Sequence, residues 1–466
     1  MRRWTLINAV LLAPVALRAQ IQTSPNSGTV EPVMPAYNTF RYEEDWAFMK
    51  DHQNSGDRLD HLKYLRVSDN SYLSLGGETR SRYEAYTKTN FGEGPQDGGG
   101  YFLQRYLLHA DLHVGSSFRT FVQLQSGIVN GRNGGPRPTD KDTLDLHQAF
   151  FDLRRGSEQR NLTLRLGRQE IAFGTGRVFG VSEGVNIRRS FDTIRLIWRR
   201  GDWTSNLAVG KLVRAKPDIF DDPPDNEQAY WGAGTAHSKS PQDLSESFYY
   251  LGFARKNGNF DRGTGAETRH TFGSRLWRTG RLFDINYEVI GQFGTWSGLP
   301  IRAWAVSTDT GFTQNFLKAK SRFGLRADVA SGDSRRNSLG SFNPLFPSTS
   351  YTGSIALFGP TNIVDVEPSF RLMLSRAVTL KFDTAWYWRE SLDDGLYSVD
   401  LRVIRRSGPT SARFIGTISS ARLDWQIDRH FSYTAMYSHF EAGEFMTKTP
   451  PGESTDYVTT WILFRF

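Results

Sequence analysis

Arginine is the residue type whose spacing in this sequence carries the most chemistry. Two segments, LTLRLGRQE at 162–170 and RRSFDTIRL at 188–196, flank a glycine-rich stretch. In the first, Leu162, Leu164 and Leu166 share one parity, and Thr163, Arg165 and Gly167 the other. In the second, Ile194, Leu196 and Trp198 alternate with Thr193, Arg195 and Ile197. Successive strand side chains point to opposite faces, so each segment reads as a strand with one oily face and a guanidinium on the other. A guanidinium is a permanently charged planar fork that can take a carboxylate through two parallel hydrogen bonds. The same parity places Arg80, Arg82, Arg105, Arg275, Arg322, Arg326, Arg371 and Arg422 on polar faces, beside Glu78, Asp111, Glu288, Asp328 and Asp424. Each arginine therefore has two readings: it pairs with a neighbouring acid and stiffens a wall, or it meets an anionic solute. Arg168 falls on the leucine face unless the strand ends or bulges there. Arg177, Arg188 and Arg189 lie in the adjoining loop, which Gly174, Gly176 and Gly180 permit to fold inward.

Other chemistry is thinner. His109 and His113 share a face and could seed a metal site, but no third ligand stands at a suitable spacing, so polar lining is preferred. Asp221, Asp222 and Asp225 could take Ca²⁺ or stay solvated, and the solvated reading is preferred. GTG at 174–176 is not followed by the GK[ST] of a phosphate loop, and HExxH and GxSxG are absent. The expectation is a chain that is not an enzyme, with no catalytic residues, no cofactor and no metal. Trp386, Trp388, Tyr433, Tyr437 and Trp461 suit an interfacial girdle or strand packing, with a minority placed to stack on sugar rings.

The elements that must position these residues are strands. Alternation starts at Tyr72: Leu73, Leu75 and Tyr83 oppose Glu78, Arg80, Arg82 and Glu84. Next, Tyr106, Leu108, Ala110, Leu112 and Val114 oppose Arg105, His109, Asp111 and His113. Tight connections (Gly115-Ser116, Thr279-Gly280) alternate with long ones (128–143, 211–226), and a polar loop is expected between Arg255 and His270. About eighteen strands follow from Tyr72, with Tyr230–His237 and Trp304–Phe312 the most weakly patterned. A soluble sandwich would turn its oily rows inward. The recurrence of arginine on the opposite rows fits lipid outside and a polar interior better. The expected fold is all-β, a single transmembrane antiparallel β-barrel.

Composition agrees. Only 38% of the 466 residues are hydrophobic, and beyond the N-terminus no apolar run reaches the ~20 residues of a spanning helix, which excludes a helical membrane protein. The net charge is +8, with arginine spread along strands rather than in blocks, so nucleic acid is not an expected partner. The absence of cysteine excludes disulfides, thiolate catalysis and cysteine metal sites.

Three regions are expected. Residues 1–19 read as a signal peptide: Met1-Arg2-Arg3, an apolar Trp4–Leu17, and Ala19 before a cut at Gln20, with a short membrane anchor as the alternative. Residues 20–70 read as a periplasmic segment, Pro/Ser/Thr-rich and then mixed in charge, either free or tucked into the barrel mouth. Residues 71–466 form the barrel, ending in DYVTTWILFRF with an aromatic terminus suited to the outer-membrane assembly machinery. The location is the bacterial outer membrane.

Several stretches resemble the alginate export family of outer-membrane barrels: LSLGGETRSRYE (73–84), YFLQRYLLHADLHVG (101–115), LGRQE (166–170) with RRSFDTIRL (188–196), FNPLFP (342–347), GPTNIVDVEPSF (359–370) and the final strand. The resemblance implies an eighteen-stranded barrel with an arginine-rich lumen that passes an acidic exopolysaccharide outward. It favours Arg165, Arg168 and Arg195, then Arg80 and Arg105, for substrate contact. The loops depart from the family pattern, which leaves the cargo open. The functional expectation is a channel for an alginate-like polysaccharide or another anionic solute, with periplasmic export partners and outer-membrane lipid around it. The alternative is a general or small-anion uptake porin, and an enzyme or adhesin on a barrel scaffold is a further class.

Overall fold

The computed structural model describes residues 37–51, 57–316, 318–349, 355–408 and 410–466; the signal-peptide region at 1–19 lies outside them. Eighteen antiparallel strands close on themselves. They begin with β1 (Ser71–Tyr86), β2 (Tyr101–Val114), β3 (Phe118–Asn130), β4 (Asp142–Gly156), β5 (Arg160–Gln169) and β6 (Phe191–Arg200). Next come β7 (Trp203–Leu212), β8 (Gln228–His237), β9 (Ser245–Phe260), β10 (Gly263–Thr279), β11 (Phe283–Trp296) and β12 (Leu299–Phe316). The wall ends with β13 (Ala319–Ala330), β14 (Ile363–Met373), β15 (Val378–Trp388), β16 (Phe414–Gln426), β17 (Phe431–Ala442) and β18 (Thr455–Arg465). β18 pairs back onto β1, from Glu78↔Arg465 to Tyr86↔Tyr457. Closure leaves no edge strand, so the hydrogen-bonded ladders run round the whole wall. Among the described residues no helix is long and apolar enough to cross a membrane.

Both weakly patterned segments are wall strands, β8 and β12. One expectation is corrected. The stretch between Arg255 and His270 is not a loop: β9 and β10 run on as a ladder to a two-residue turn at Asp261-Arg262. Past the lipid boundary both faces of a strand meet water or other loops, so the oily alternation that marks a membrane strand fades while the ladder continues. Elsewhere short turns gather at the end holding both ends of the barrel domain, and long loops (87–100, 131–141, 170–190, 213–227, 331–362, 389–413, 443–454) gather at the other.

The faces sort by polarity. Phe102, Leu108, Ile194, Trp198, Leu207, Phe248, Phe272, Val289, Leu325, Phe382 and Ile462 project outward as an exposed apolar belt. Their neighbours in sequence project inward, where Glu78, Arg80, Arg105, Gln123, Asp152, Arg165, Arg269 and Glu288 are all buried.

Candidate functional site

The registers place the expected arginines directly. Arg80 stands opposite Arg105, Arg165 opposite Arg195, Arg275 opposite Glu288, Arg322 opposite Arg371, and Arg371 opposite Lys381, which is itself opposite Arg422. Arg82 lies opposite Trp461 with its guanidinium 5.0 Å from the ring centre, and Arg326 lies opposite Glu367. All ten share the inward face. Arg168 does not, which corrects its placement as pore lining. It stands opposite Ala149 and Asp192 on the leucine face, ion-pairs with Asp192 at 2.9 Å, and donates to the carbonyls of Leu146 and Asp222.

The loop at 170–190 crosses the interior. One flank docks on β1 and β2. Arg80 donates to the carbonyls of Glu183 (2.9 Å) and Val185 (2.7 Å), Arg82 to that of Gly184, and Arg105 to Glu183 and Val185. The Glu183 carboxylate ties Arg105 and Arg188, each at 2.7 Å. The other flank docks on β10, β11 and β13. Arg275 donates to the Gly174 carbonyl at 3.2 Å, Thr175 donates to Glu288, and Arg177 meets Asp328 at 3.0 Å. Gly174 takes a left-handed φ of +59°, which favours glycine, and a Cβ there would sit 2.4 Å from Glu288 Oε1 and 2.9 Å from the Tyr249 ring. A second inward segment at 339–348 packs on the first: Phe346 exchanges backbone hydrogen bonds with Val178 and Gly180 and buries its ring among Phe179, Phe191 and Tyr230.

The N-terminal segment enters from the opposite end. Tyr42 packs edge-on against Phe121 and Phe150, donates to the Glu170 carbonyl at 2.8 Å, and lies under Arg165, 4.6 Å away. Arg41 donates to the carbonyls of Gly77 and Phe466. Arg188 reaches from the crossing loop to the Thr39 carbonyl. Of the two locations the sequence allows for this segment, residues 37–49 occupy the one inside the barrel mouth.

The model of the alginate export family matches residues 71–460, nearly the whole of this wall. The chain belongs to that family. No curated protein matches it. Solved barrels do: OccAB1 of Acinetobacter baumannii (TM-score 0.58, 11% identity, covering 88% of this chain and 99% of that one) and OpdK of Pseudomonas aeruginosa crystallised with vanillate (0.58, 9%, 84% and 98%). OpdQ of the same organism is similar again (0.54, 11%, 85% and 97%). These similarities show a shared porin fold, and family and fold together make the chain a bacterial outer-membrane channel. The turn-rich end is then periplasmic and the loop-rich end extracellular.

In this alginate export barrel the inward arginines divide by partner. Arg165 is clamped by Asp152 through two bonds of 2.7 Å, Arg105 is fully buried between Glu78 and Glu183, and Arg82 pairs with Glu84 at 2.8 Å. Arg322 pairs with Asp284 and Asp309, and Arg326 with Asp328, Asp365 and Glu367. Arg422 stands 3.8 Å from Asp424. These are wall ladders. Arg195 meets two neutral groups, Asn206 at 2.7 Å and the Tyr42 hydroxyl, and Arg371 has no hydrogen-bond or ion-pair partner among the described residues. Arg80 and Arg189 are held by backbone carbonyls. Arg275 contacts Asn286, the Gly174 carbonyl and the Trp277 ring.

Other expectations resolve singly. His109 stacks on Phe121, and His113 stacks on Tyr72 with its Nε2 3.2 Å from Asp111 Oδ1, so the two histidines serve separate contacts. Trp461 faces inward, while Trp386 and Tyr437 are on the exposed outer face. Asp225 accepts the Glu227 amide, and the backbone amides of Asp221 and Asp222 donate to Asp145 on β4. Parity also passed over Glu170, Glu183, Arg188 and Arg465 as a connected group. Three come from the loop at 170–190 and Arg465 from the end of β18, and nothing local announces their meeting. The signal available was only that the loop between β5 and β6 is rich in both charges and glycine.

Proposed function

We propose that this barrel conducts anionic solutes from one side of the outer membrane to the other, with an acidic, alginate-like polysaccharide as the leading cargo. The observation that carries the reading is the set of inward cations held by no carboxylate: Arg195 and Arg371 in the periplasmic half, and Arg80 and Arg189 where the loop crosses. A pore must attract its cargo and still release it, so several spaced and weakly engaged charges serve better than one tight site. A sugar acid carries one carboxylate per residue, and a polymer would be handed from charge to charge. The carboxylate-clamped arginines, Arg165 among them, keep the wall stiff and contribute less to the field.

The second reading is a channel for small anions. It is favoured by the crossing loop, the segment at 339–348 and residues 37–49, all of which take up space inside the barrel, and by the fold shared with a protein crystallised with vanillate. Planar bilayers separate the cases. The reversal potential in a salt gradient should show anion preference. Arg195→Glu with Arg371→Glu should reduce or reverse it, while Arg168→Gln, on the outer face, should leave it unchanged. Equal potentials for wild type and the double variant would end the arginine argument. Block of the current by oligomannuronate but not by monomeric uronate would select the polymer.

A further inference from the structure

Three aspartates meet at the extracellular end where the loop at 213–227 folds over the start of β4, with a fourth, Asp142, beside them. The oxygen atoms available from Asp145, Asp221 and Asp222 lie within 4.8 Å of one another. Two oxygens bound to one Ca²⁺ at about 2.3–2.6 Å can be no more than about 5 Å apart, so the spacing suits a single hard cation. Asp142, three residues before Asp145 on the same strand, is completely buried. Neither of its carboxylate oxygens is satisfied in full hydrogen-bond geometry, although the Gln125 side chain approaches it, and Asp222, Asp145 and Asp221 are the charges that act on it. The Oδ1 atom of Asp221 is likewise buried and unpartnered.

The rest of the site is already organised. Asp145 Oδ2 accepts the amides of Asp221 (2.9 Å) and Asp222 (3.3 Å), and Asp222 Oδ1 accepts the amide of Lys216 (2.6 Å). These bonds fix the loop and leave other lone pairs facing the cluster. Charge is unbalanced. Among the described residues the one basic side chain within ion-pair distance of the four carboxylates is Arg168, 3.9 Å from Asp145 and already engaged by Asp192. Buried carboxylates in such numbers call for a counter-charge. With oxygen donors and no nitrogen or sulfur, the chemistry selects Ca²⁺ over zinc or copper.

We propose that Asp142, Asp145, Asp221 and Asp222 form a calcium site that pins the extracellular loop at 213–227 to the barrel rim. The site uses none of the arginines on which the transport reading rests, so it stands or falls independently of that reading. It also gives Arg168 a place: the guanidinium bridges this rim to β6 through Asp192.

The test uses the full-length barrel in detergent, freed of metal with EDTA and titrated with CaCl₂ in a calorimeter. One bound ion per chain is expected. Asp145→Asn combined with Asp221→Asn should abolish the binding, and Asp225→Asn, which lies outside the cluster, should not change it. Trypsin cleavage after the exposed Arg214 should slow at least tenfold when calcium is added to wild type and show no calcium dependence in the double variant. If the double variant does not fold, Asp221→Asn alone, a loop change, should weaken binding at least tenfold. No heat of binding in wild type, or equal binding in the folded variants, overturns the proposal.

Discussion

Glu183→Gln is the most direct probe of how the crossing loop is held. The Glu183 carboxylate accepts charge-assisted hydrogen bonds from Arg105 at 2.7 Å and from Arg465 at 3.4 Å, and it ion-pairs with Arg188 at 2.7 Å. Such bonds are worth about 1.5–3 kcal/mol each when buried. The side chain is 28% exposed, which screens it, and the amide of glutamine retains an acceptor oxygen for one donor. A net loss of about 2 kcal/mol follows, and at 1.4 kcal/mol per tenfold the released loop becomes about thirtyfold more populated. The carbonyl bonds from Arg80, Arg82 and Arg105 persist, so the loop should open in bursts rather than stay out. Single-channel recording should show more frequent and longer visits to a higher-conductance level. Removing one negative charge among Arg80, Arg105, Arg188 and Arg465 should also raise anion preference. Unchanged dwell times together with an unchanged reversal potential would refute the assignment of Glu183 as the anchor.

Two further outcomes are expected. Tyr42→Ala removes a buried ring from Phe121 and Phe150 and the bond to the Glu170 carbonyl, a loss of about 3–5 kcal/mol by the usual cost of such truncations; residues 37–49 should become protease-sensitive and conductance should rise while the wall stays folded by circular dichroism. Burial pushes the carboxyl of Asp394, in the loop at 389–413, up to about 6, even though Ser341, Tyr397 and two backbone amides donate to it. Its folded value lies above its unfolded one, so the contribution to stability is complete below about pH 4 and is lost as pH rises through 6. Amide exchange, corrected for intrinsic rates, should show that loop better protected at pH 4.5 than at 7.5, and Asp394→Asn should flatten the difference.

The period of two in this chain determined most of the wall. Side-chain alternation is a property of the backbone, so parity assigned the inward face for Arg80, Arg105, Arg165, Arg195, Arg275 and the other expected arginines, and it put Arg168 on the leucine face. The strand count and the split between short turns and long loops follow from the same regularity. What parity cannot supply is the partner across a gap. Arg165 looked equal to Arg195 in sequence, yet Asp152 clamps the first and the neutral Asn206 meets the second, because strand register is fixed by the closure of the whole barrel. The inward course of the loop at 170–190, the seat of Tyr42 beneath it and the meeting of Asp145 with Asp221 and Asp222 join residues far apart in the chain. Their energies arise from burial and charge pairing between segments, and these terms exist only once the tertiary structure has brought the segments together.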